Sequence, residues 1–219
     1  MSERTTLFVD TSTSRITVAI VRAGVLTERV VTGATAHGES LTPLIEQVVG
    51  EAIVNFAEIQ RIVVGLGPGP FTGLRVGIVT AEAIGQSLGI PVTGFCSLDA
   101  IKRPQTQDLV LVVSDARRKE VYWALFDQLG RRVDGPGVAK PADLVAQLAA
   151  RDSGPGSTIS IVSAGAEKYL AEFSQLGSFS EGWPSASWLL THDITTPGPL
   201  IPLYLRRPDA VPPTSAVAR

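Results

Sequence analysis

The sequence predicts a duplicated α/β fold, because the order of strands and helices in its first half recurs in its second half. In the first half, three β-rich segments are followed by a helix, a strand, a helix and a strand, which is typical of a mixed sheet flanked by helices. In the second half, Asp115 and Val121 stand 105 residues after Asp10 and Ile16, and each Asp ends an apolar strand. Two similar halves that meet near residue 100 indicate a duplication.

The elements of the first half follow from apolar periodicity. The segment "TTLFVD" predicts a strand that ends at Asp10, and "RITVAIVRAGVLTERVVTG" predicts a β-hairpin turned at "RAGV". In "ESLTPLIEQVVGEAI", the apolar residues recur at helical spacing, and Pro43 is tolerated because it falls in the first turn. The strand "RIVVGLG", a helix from about Gly73 to Leu88 and the strand "IPVTGF" complete this half.

The second half repeats this order with different residues. The segment "DLVLVVSDARRKEVYWALFDQLGR" predicts two strands, "PADLVAQLAA" a short helix, "TISIVSAG" a strand and "AEKYLAEF" a further helix. We therefore predict a first lobe over residues 1–100, a second lobe over 101–207 and a flexible tail over 208–219. The Gly-, Pro- and Ser-rich stretch 153–157 is predicted to be a loop.

Composition excludes several classes of protein. The formal charge of −2 disfavours tight unaided binding to nucleic acid or to anionic lipid. Cys96 is the one cysteine, so an intramolecular disulfide and a thiolate metal cluster are both excluded. No apolar run approaches the length of a membrane span, and we expect a cytoplasmic protein without a membrane partner.

The stretch "GLGPGPFTGLRVG", residues 65–77, resembles a phosphate-binding loop but lacks its essential residues. A Walker A loop needs Lys and a hydroxyl after its last Gly, where this chain has Leu74 and Arg75. A dinucleotide fingerprint needs a glycine where Pro70 stands. The prolines instead predict a stiff turn, with Thr72 as the cap of the following helix.

That helix carries a stripe of small residues. They recur every four positions: Gly73, Gly77, Ala81, Gly85 and Gly89. Glycine within a helix costs about 0.5–1 kcal/mol relative to alanine, so the stripe indicates a compensating close contact. Two readings remain open at this point: the stripe packs on the chain's own elements, or it packs on a helix of a second subunit.

Acid and histidine residues suggest little catalytic machinery. Asp10 and Asp115 could hold magnesium near a phosphate, or could form Asx turns at strand ends. His37 and His192 stand 155 positions apart, and neither has a second His at i+4. The chain has no G-x-S-x-G segment for an acyl-transfer triad.

Several longer motifs together resemble the TsaB (YeaZ) family of bacterial tRNA threonylcarbamoyladenosine biosynthesis proteins. They are "LFVDTSTSRITVAI", "HGESLTPLI", "GLGPGPFTGLRVGIVTAEAIGQSLGIPVTGFCSLDA", "SDARRKEVYWALF" and the terminal "PLYLRR". Pro70 departs from this pattern, because the family generally has Ser there.

The resemblance implies a duplicated actin-like (ASKHA, ribonuclease H-like) fold, with two lobes that each contain a mixed sheet flanked by helices. It also implies a non-catalytic subunit without a cofactor of its own. Such a subunit binds the catalytic subunit TsaD, works with the ATPase TsaE, contacts tRNA only indirectly and can form a homodimer when alone. ATP would be used through these partners.

The resemblance further implies that the helices of the first half form the partner interface. The residues expected there are Leu41, Leu44, Ile45 and Val48 of the first helix and Leu74, Gly77, Ile78, Ala81 and Gly85 of the second. The alternative from another functional class is an ATP- and magnesium-dependent actin-like phosphotransferase that uses Asp10. A peptidase is disfavoured, since neither a metal pair nor a triad is present in the sequence.

Overall fold

The first lobe is built on a five-stranded mixed sheet. The computed structural model describes residues 4–33, 37–104, 109–150, 159–188, 191–192, 195 and 198–206. The strands of this sheet are β1 (Thr6–Asp10), β2 (Arg15–Arg22), β3 (Val25–Thr32), β4 (Arg61–Gly65) and β5 (Val92–Phe95). They lie in the order β3-β2-β1-β4-β5, with β1 antiparallel to β2 and parallel to β4.

The second lobe repeats this arrangement. Its strands are β6 (Leu109–Asp115), β7 (Val121–Phe126), β8 (Arg132–Ala139), β9 (Ile159–Ala164) and β10 (Phe179–Glu181). They lie in the order β8-β7-β6-β9-β10, and β6 is antiparallel to β7 and parallel to β9. Because strand order and direction match those of the first sheet, the predicted duplication into two lobes, each with a mixed sheet flanked by helices, is confirmed.

Helices cover the sheets, and the bounds of several differ from the predicted ones. The helices are α1 (His37–Glu51), α2 (Phe71–Leu88), α3 (Pro141–Ala149) and α4 (Leu170–Phe173). Residues Glu167–Tyr169, which we predicted as the start of the last helix, form a 3₁₀ turn instead. The predicted cap at Thr72 is wrong: α2 begins at Phe71, so Pro70 takes the N-cap position and Thr72 lies within the first turn.

Apolar residues fill the space between each sheet and its helices. The largest cluster lies between the first sheet and α1 and α2, and it contains Val9, Ile20 and Ile62 from the strands. A second cluster lies on the opposite face of the same sheet, where the rings of Phe8 and Phe95 stack at 5.1 Å. Burial on both faces accounts for the near-continuous apolar runs of the central strands.

Residues 198–206, here called the C-terminal strap, join the two lobes. Leu203 packs against both the first-lobe core and the cluster around Val112 and Phe126, and its N–H donates a 2.8 Å hydrogen bond to the carbonyl of Leu66. Arg206 Nη1 donates to the carbonyl of Ala116 at 2.6 Å. The lobe boundary at residues 100 and 101 stays a prediction.

Two further sequence predictions concern membrane-spanning helices and the predicted loop and tail. Among the described helices, none combines the length and apolar character that crossing a bilayer requires. The predicted loop 153–157 and the predicted tail 208–219 lie outside the described residues.

Candidate functional site

Asp10 ends β1 at the position where the sequence left open a magnesium site or an Asx turn. Its Oδ1 accepts hydrogen bonds from the N–H of Ser12 at 2.9 Å and from the Ser12 hydroxyl at 2.7 Å. Its Oδ2 accepts a 2.6 Å hydrogen bond from the hydroxyl of Ser97. The Asx turn is therefore confirmed, and the carboxylate is satisfied by groups of the chain itself.

Burial controls the acidity of this carboxyl group. Asp10 is 1% exposed, and its removal from water raises its pKa above the ordinary value. The hydrogen bonds from Ser97 and Ser12 act in the opposite direction but are the smaller effects. A catalytic magnesium ligand needs an accessible, charged carboxylate, so this arrangement does not favour the phosphotransferase alternative.

The glycine-rich loop after β4 packs directly on the turn between β1 and β2. A Cβ at Gly65 would collide with the carboxylate of Asp10, and a Cβ at Gly69 would collide with the backbone of Ser12. The N–H of Gly67 donates a 3.1 Å hydrogen bond to the hydroxyl of Ser97. The glycines thus permit close packing of the loop on its own lobe.

The small-residue stripe of α2 also faces the chain's own elements. A Cβ at Gly77 would collide with the hydroxyl of Thr11, and a Cβ at Gly85 would collide with Val92 of β5. The hydroxyl of Thr11 donates a 2.7 Å hydrogen bond to the carbonyl of Gly73. Of the two readings, packing within the chain is confirmed for Gly77 and Gly85.

All nine residues predicted to contact a partner are buried in the first lobe. Seven of them belong to the core cluster between the first sheet and its helices, and the two glycines lie against Thr11 and Val92, so in this conformation they offer no surface to a second chain. They are Leu41, Leu44, Ile45, Val48, Leu74, Gly77, Ile78, Ala81 and Gly85. This burial gives no support to an interface made by these nine residues, so the interface stays a prediction, and the exposed face of the same two helices is the other candidate surface.

The outer face of α1 and α2 is exposed along both helices. On α2 it contains Val79, which is 60% exposed although apolar, together with Arg75 and Ala83. On α1 it contains Glu46 and other polar or small residues. The two helices contact each other, and their exposed faces together are here called the outer helical face.

An arginine and two aromatic rings form a cluster at the N-terminal end of α2. The rings of Phe71 and Tyr204 stack at 4.9 Å, and the guanidinium carbon of Arg75 lies 4.0 Å from the centroid of the Phe71 ring. Arg75 Nε also donates a 3.1 Å hydrogen bond to the hydroxyl of Tyr204. Phe71 is 37% exposed and Tyr204 is 39% exposed, so this Arg75 cluster borders the outer helical face. Sequence analysis missed it, because nothing in the sequence links residues 71 and 204.

Asp115 and His192 each contact neighbouring residues of the second lobe. Asp115 lies 3.0 Å from Lys168 Nζ and accepts a hydrogen bond from the N–H of Arg117, so it too forms an Asx turn. His192 stacks on the ring of Trp188 at 3.9 Å. Among the described residues, no three His, Cys, Asp or Glu side chains converge in a way that suits a metal ion. The side chain of His37 lies outside the description.

Comparison with known proteins identifies relatives over most of the chain. The model of the TsaD family, described as tRNA N6-adenosine threonylcarbamoyltransferase, matches residues 15–180. An uncharacterised protein of Mycobacterium tuberculosis is 46% identical over 213 residues, which cover 95% of this chain and 94% of that protein.

Two further comparisons concern TsaB and YeaZ. The tRNA threonylcarbamoyladenosine biosynthesis protein TsaB of Bacillus subtilis is 30% identical over 125 residues, 56% of this chain and 55% of that protein. The structure of YeaZ from Pseudomonas aeruginosa superposes with a TM-score of 0.70 at 26% identity and covers 86% of this chain and 89% of that one. The predicted resemblance to TsaB and YeaZ is confirmed.

Proposed function

Because the chain belongs to the TsaD family and resembles TsaB and YeaZ in sequence and structure, we propose that it is a non-catalytic subunit in the synthesis of threonylcarbamoyladenosine in tRNA. In this role it binds a TsaD-like catalytic subunit and supports it together with a TsaE-like ATPase. The observation that carries the proposal is the enclosure of Asp10 by Ser12, Ser97 and the glycine-rich loop. The carboxylate oxygens of Asp10 accept hydrogen bonds from the chain's own groups, which supports a role without metal or phosphate at this position.

The role assigns ATP to the partners rather than to this chain. It also places the protein in the cytoplasm, where tRNA is modified. Enclosure of Asp10 supports the first point, since magnesium prefers carboxylate and water oxygens that can form an octahedral shell. Two hydroxyls and a backbone N–H already donate to this carboxylate.

The outer helical face is the proposed binding surface for the catalytic subunit. It replaces the predicted buried stripe while keeping the same two helices. Val79 supplies exposed apolar area, and Ala83 permits close approach of a second helix. The Arg75 cluster at its border combines Phe, Tyr and Arg, of which Tyr and Arg are enriched in binding hot spots. A second copy of this chain could occupy the same surface when the catalytic subunit is absent.

The proposal is tested by mixing the purified chain with the TsaD homologue of the same organism and measuring the complex by size-exclusion chromatography and calorimetry. Val79→Arg should weaken binding by about tenfold or more, since it places a charge in a desolvated contact. Leu129→Arg is the matched control, because Leu129 is apolar and 66% exposed but lies in the second lobe. It should bind like the wild type.

Two outcomes would contradict the proposal. One is the absence of a complex with wild-type protein at micromolar concentration. The other is an equal loss of binding in Val79→Arg and Leu129→Arg, which would remove the outer helical face from the interface. Circular dichroism of both variants establishes that the loss does not arise from unfolding.

A further inference from the structure

The turn between β6 and β7 presents three consecutive cations in an unusual conformation. Arg117, Arg118 and Lys119 have φ angles of 59°, 49° and 61°, so all three adopt the left-handed region. The turn is closed by hydrogen bonds from Ala116 N–H to the carbonyl of Glu120 at 3.0 Å and from Glu120 N–H to that of Arg117 at 2.9 Å. All three cations are exposed. We call these residues, 117–119, the basic turn.

The conformation of the basic turn points to a use for its charges. Left-handed backbone is disfavoured for residues with a Cβ, whereas glycine adopts it readily and asparagine tolerates it better. If only the shape of the turn mattered, glycine or asparagine would form it at a lower conformational free energy. Residues held in such a strained backbone cluster at functional sites.

The equivalent turn of the first lobe shows the contrast. Ser12 and Thr13 occupy the positions 105 residues before Arg117 and Arg118. Both are buried, and Ser12 is covered by Gly69 of the glycine-rich loop. The duplicated position is thus neutral and enclosed in one lobe but cationic and exposed in the other.

The two acidic residues that flank the basic turn form ion pairs with cations outside the turn. Asp115 is paired with Lys168 at 3.0 Å, and Glu120 is paired with Arg206 of the C-terminal strap at 3.1 Å. If the neighbouring Glu167 is included, the region holds five cations and three carboxylates, a formal charge of +2 on a chain whose formal charge is −2. This region therefore carries a net positive formal charge, whereas the formal charge of the whole chain is negative.

We propose that the basic turn binds phosphate groups of an RNA backbone. The inference rests on the proposed function, since a subunit of a tRNA-modifying complex works beside RNA. Arginine suits phosphate because its planar guanidinium donates in pairs, and lysine adds a mobile point charge. Arg117 and Lys119 place two such groups on one short turn, which matches a repeating polyanion and would contribute affinity without base readout. The expectation of only indirect contact with tRNA is revised at this one site.

The test measures binding of a fluorescent, unmodified tRNA transcript to the isolated full-length chain by anisotropy, between about 50 and 200 mM salt. Arg117→Gln/Lys119→Gln should weaken binding several-fold at the lowest salt. The dependence of affinity on salt should become shallower by about 0.7–0.9 per lost phosphate contact. The charge-reversed Arg117→Glu/Lys119→Glu should weaken binding by a further factor of about ten.

The matched control is Arg22→Gln/Arg131→Gln, which removes the same charge. Arg131 precedes β8 and lies at the end of its sheet opposite to the basic turn, and Arg22 ends β2 at the end of the first sheet away from Asp10. The control should bind RNA within about twofold of the wild type, since only distant charge is lost. Thermal melts of each variant separate lost binding from lost folding.

Three results would overturn the inference. The first is that wild-type protein shows no salt-dependent binding of RNA. The second is that the control variant loses as much RNA affinity as Arg117→Gln/Lys119→Gln. The third is displacement of RNA by micromolar inorganic triphosphate, which would reassign the turn to a small phosphate ligand. Because the assay contains no catalytic subunit, its failure is distinguishable from failure of the complex to form. If the chain binds RNA but does not bind TsaD, the inference about the basic turn is supported and the proposed function is contradicted.

Discussion

The hydroxyl of Ser97 donates a 2.6 Å hydrogen bond to the carboxylate of Asp10, although the two residues are 87 positions apart. Ser97 follows β5 and Asp10 ends β1, so the bond ties together two strands that flank β4. The same Ser97 hydroxyl accepts from the N–H of Gly67. The Asp10 carboxylate, at the carboxyl end of β1, therefore has a structural role.

Removal of the Asp10 carboxylate should destabilise the protein. Asp10→Ala leaves the hydroxyls of Ser12 and Ser97 and a backbone N–H without their acceptor, at a cost of about 1–3 kcal/mol in the free energy of unfolding. The duplicated Asp115→Ala loses a partly exposed ion pair and should cost less than about 1 kcal/mol. Urea denaturation of both variants measures the difference, and equal costs would refute a structural role specific to Asp10.

The raised pKa of Asp10 predicts a pH dependence. A carboxyl group whose pKa is higher in the folded than in the unfolded state stabilises the fold when protonated, and this contribution disappears as pH rises from the ordinary pKa of 3.8 through the folded pKa. Asp10→Asn does not ionise. Its free energy of unfolding should therefore rise relative to that of the wild type over this interval. A constant difference between the two proteins across the interval would contradict the shift.

Close packing of α2 on Thr11 predicts a coupling between two substitutions. Gly77→Ala should destabilise by about 1–3 kcal/mol because its methyl group collides with the Thr11 hydroxyl. In a Thr11→Ala background the same substitution should be nearly neutral. Gly50→Ala is the control, since a Cβ at Gly50 of α1 meets nothing within 4 Å and alanine favours helix by about 0.5–1 kcal/mol. A double-mutant cycle without coupling would exclude the contact.

The C-terminal strap should stabilise the whole chain through Leu203. This side chain packs on the cores of both lobes, so Leu203→Ala should cost about 1–3 kcal/mol. Ile201, two residues earlier, is 64% exposed, and Ile201→Ala should change stability by less than about 0.5 kcal/mol. If thermal denaturation finds the two variants equally stable, the strap does not join the lobes in solution.

Cys96 provides a direct report on folding. Burial, with a smaller contribution from Asp99, raises the pKa of its thiol to about 12, and a thiol rather than a thiolate reacts slowly. The native protein should therefore resist a thiol reagent at pH near 8, where a free cysteine is partly ionised, and should react once unfolded in urea. Rapid labelling under native conditions would show that the site opens readily.

The fold was accessible from the sequence because apolar periodicity reports burial directly. The runs that became β1, β4, β6 and β9 are buried along nearly their whole length. The segment Arg132–Ala139 forms β8 but was not predicted as a strand, since its Gly and Pro residues are typical of turns. It stands where the 105-residue repeat places β3, so the repeat itself carried the missing signal.

The candidate site was less accessible because it depends on which face of a helix is covered. A stripe such as Gly77, Ala81 and Gly85 indicates close contact, but periodicity cannot say whether the contact lies within the chain or between chains. The pairing of Phe71 with Tyr204 and of Asp10 with Ser97 joins distant segments and leaves no local pattern. The left-handed basic turn was also unforeseen, as its residues are unusual for that conformation.

The most direct test of the central claim is the rate of threonylcarbamoyladenosine formation by this chain reconstituted with the TsaD and TsaE homologues of its organism. If the chain is a non-catalytic subunit, Asp10→Asn should retain the rate within about twofold, because the carboxylate performs no chemistry, whereas Val79→Arg should lower it by about tenfold or more at limiting subunit concentration. The opposite result, a rate abolished by Asp10→Asn and unaffected by Val79→Arg, would contradict a non-catalytic subunit and identify Asp10 as part of an active site.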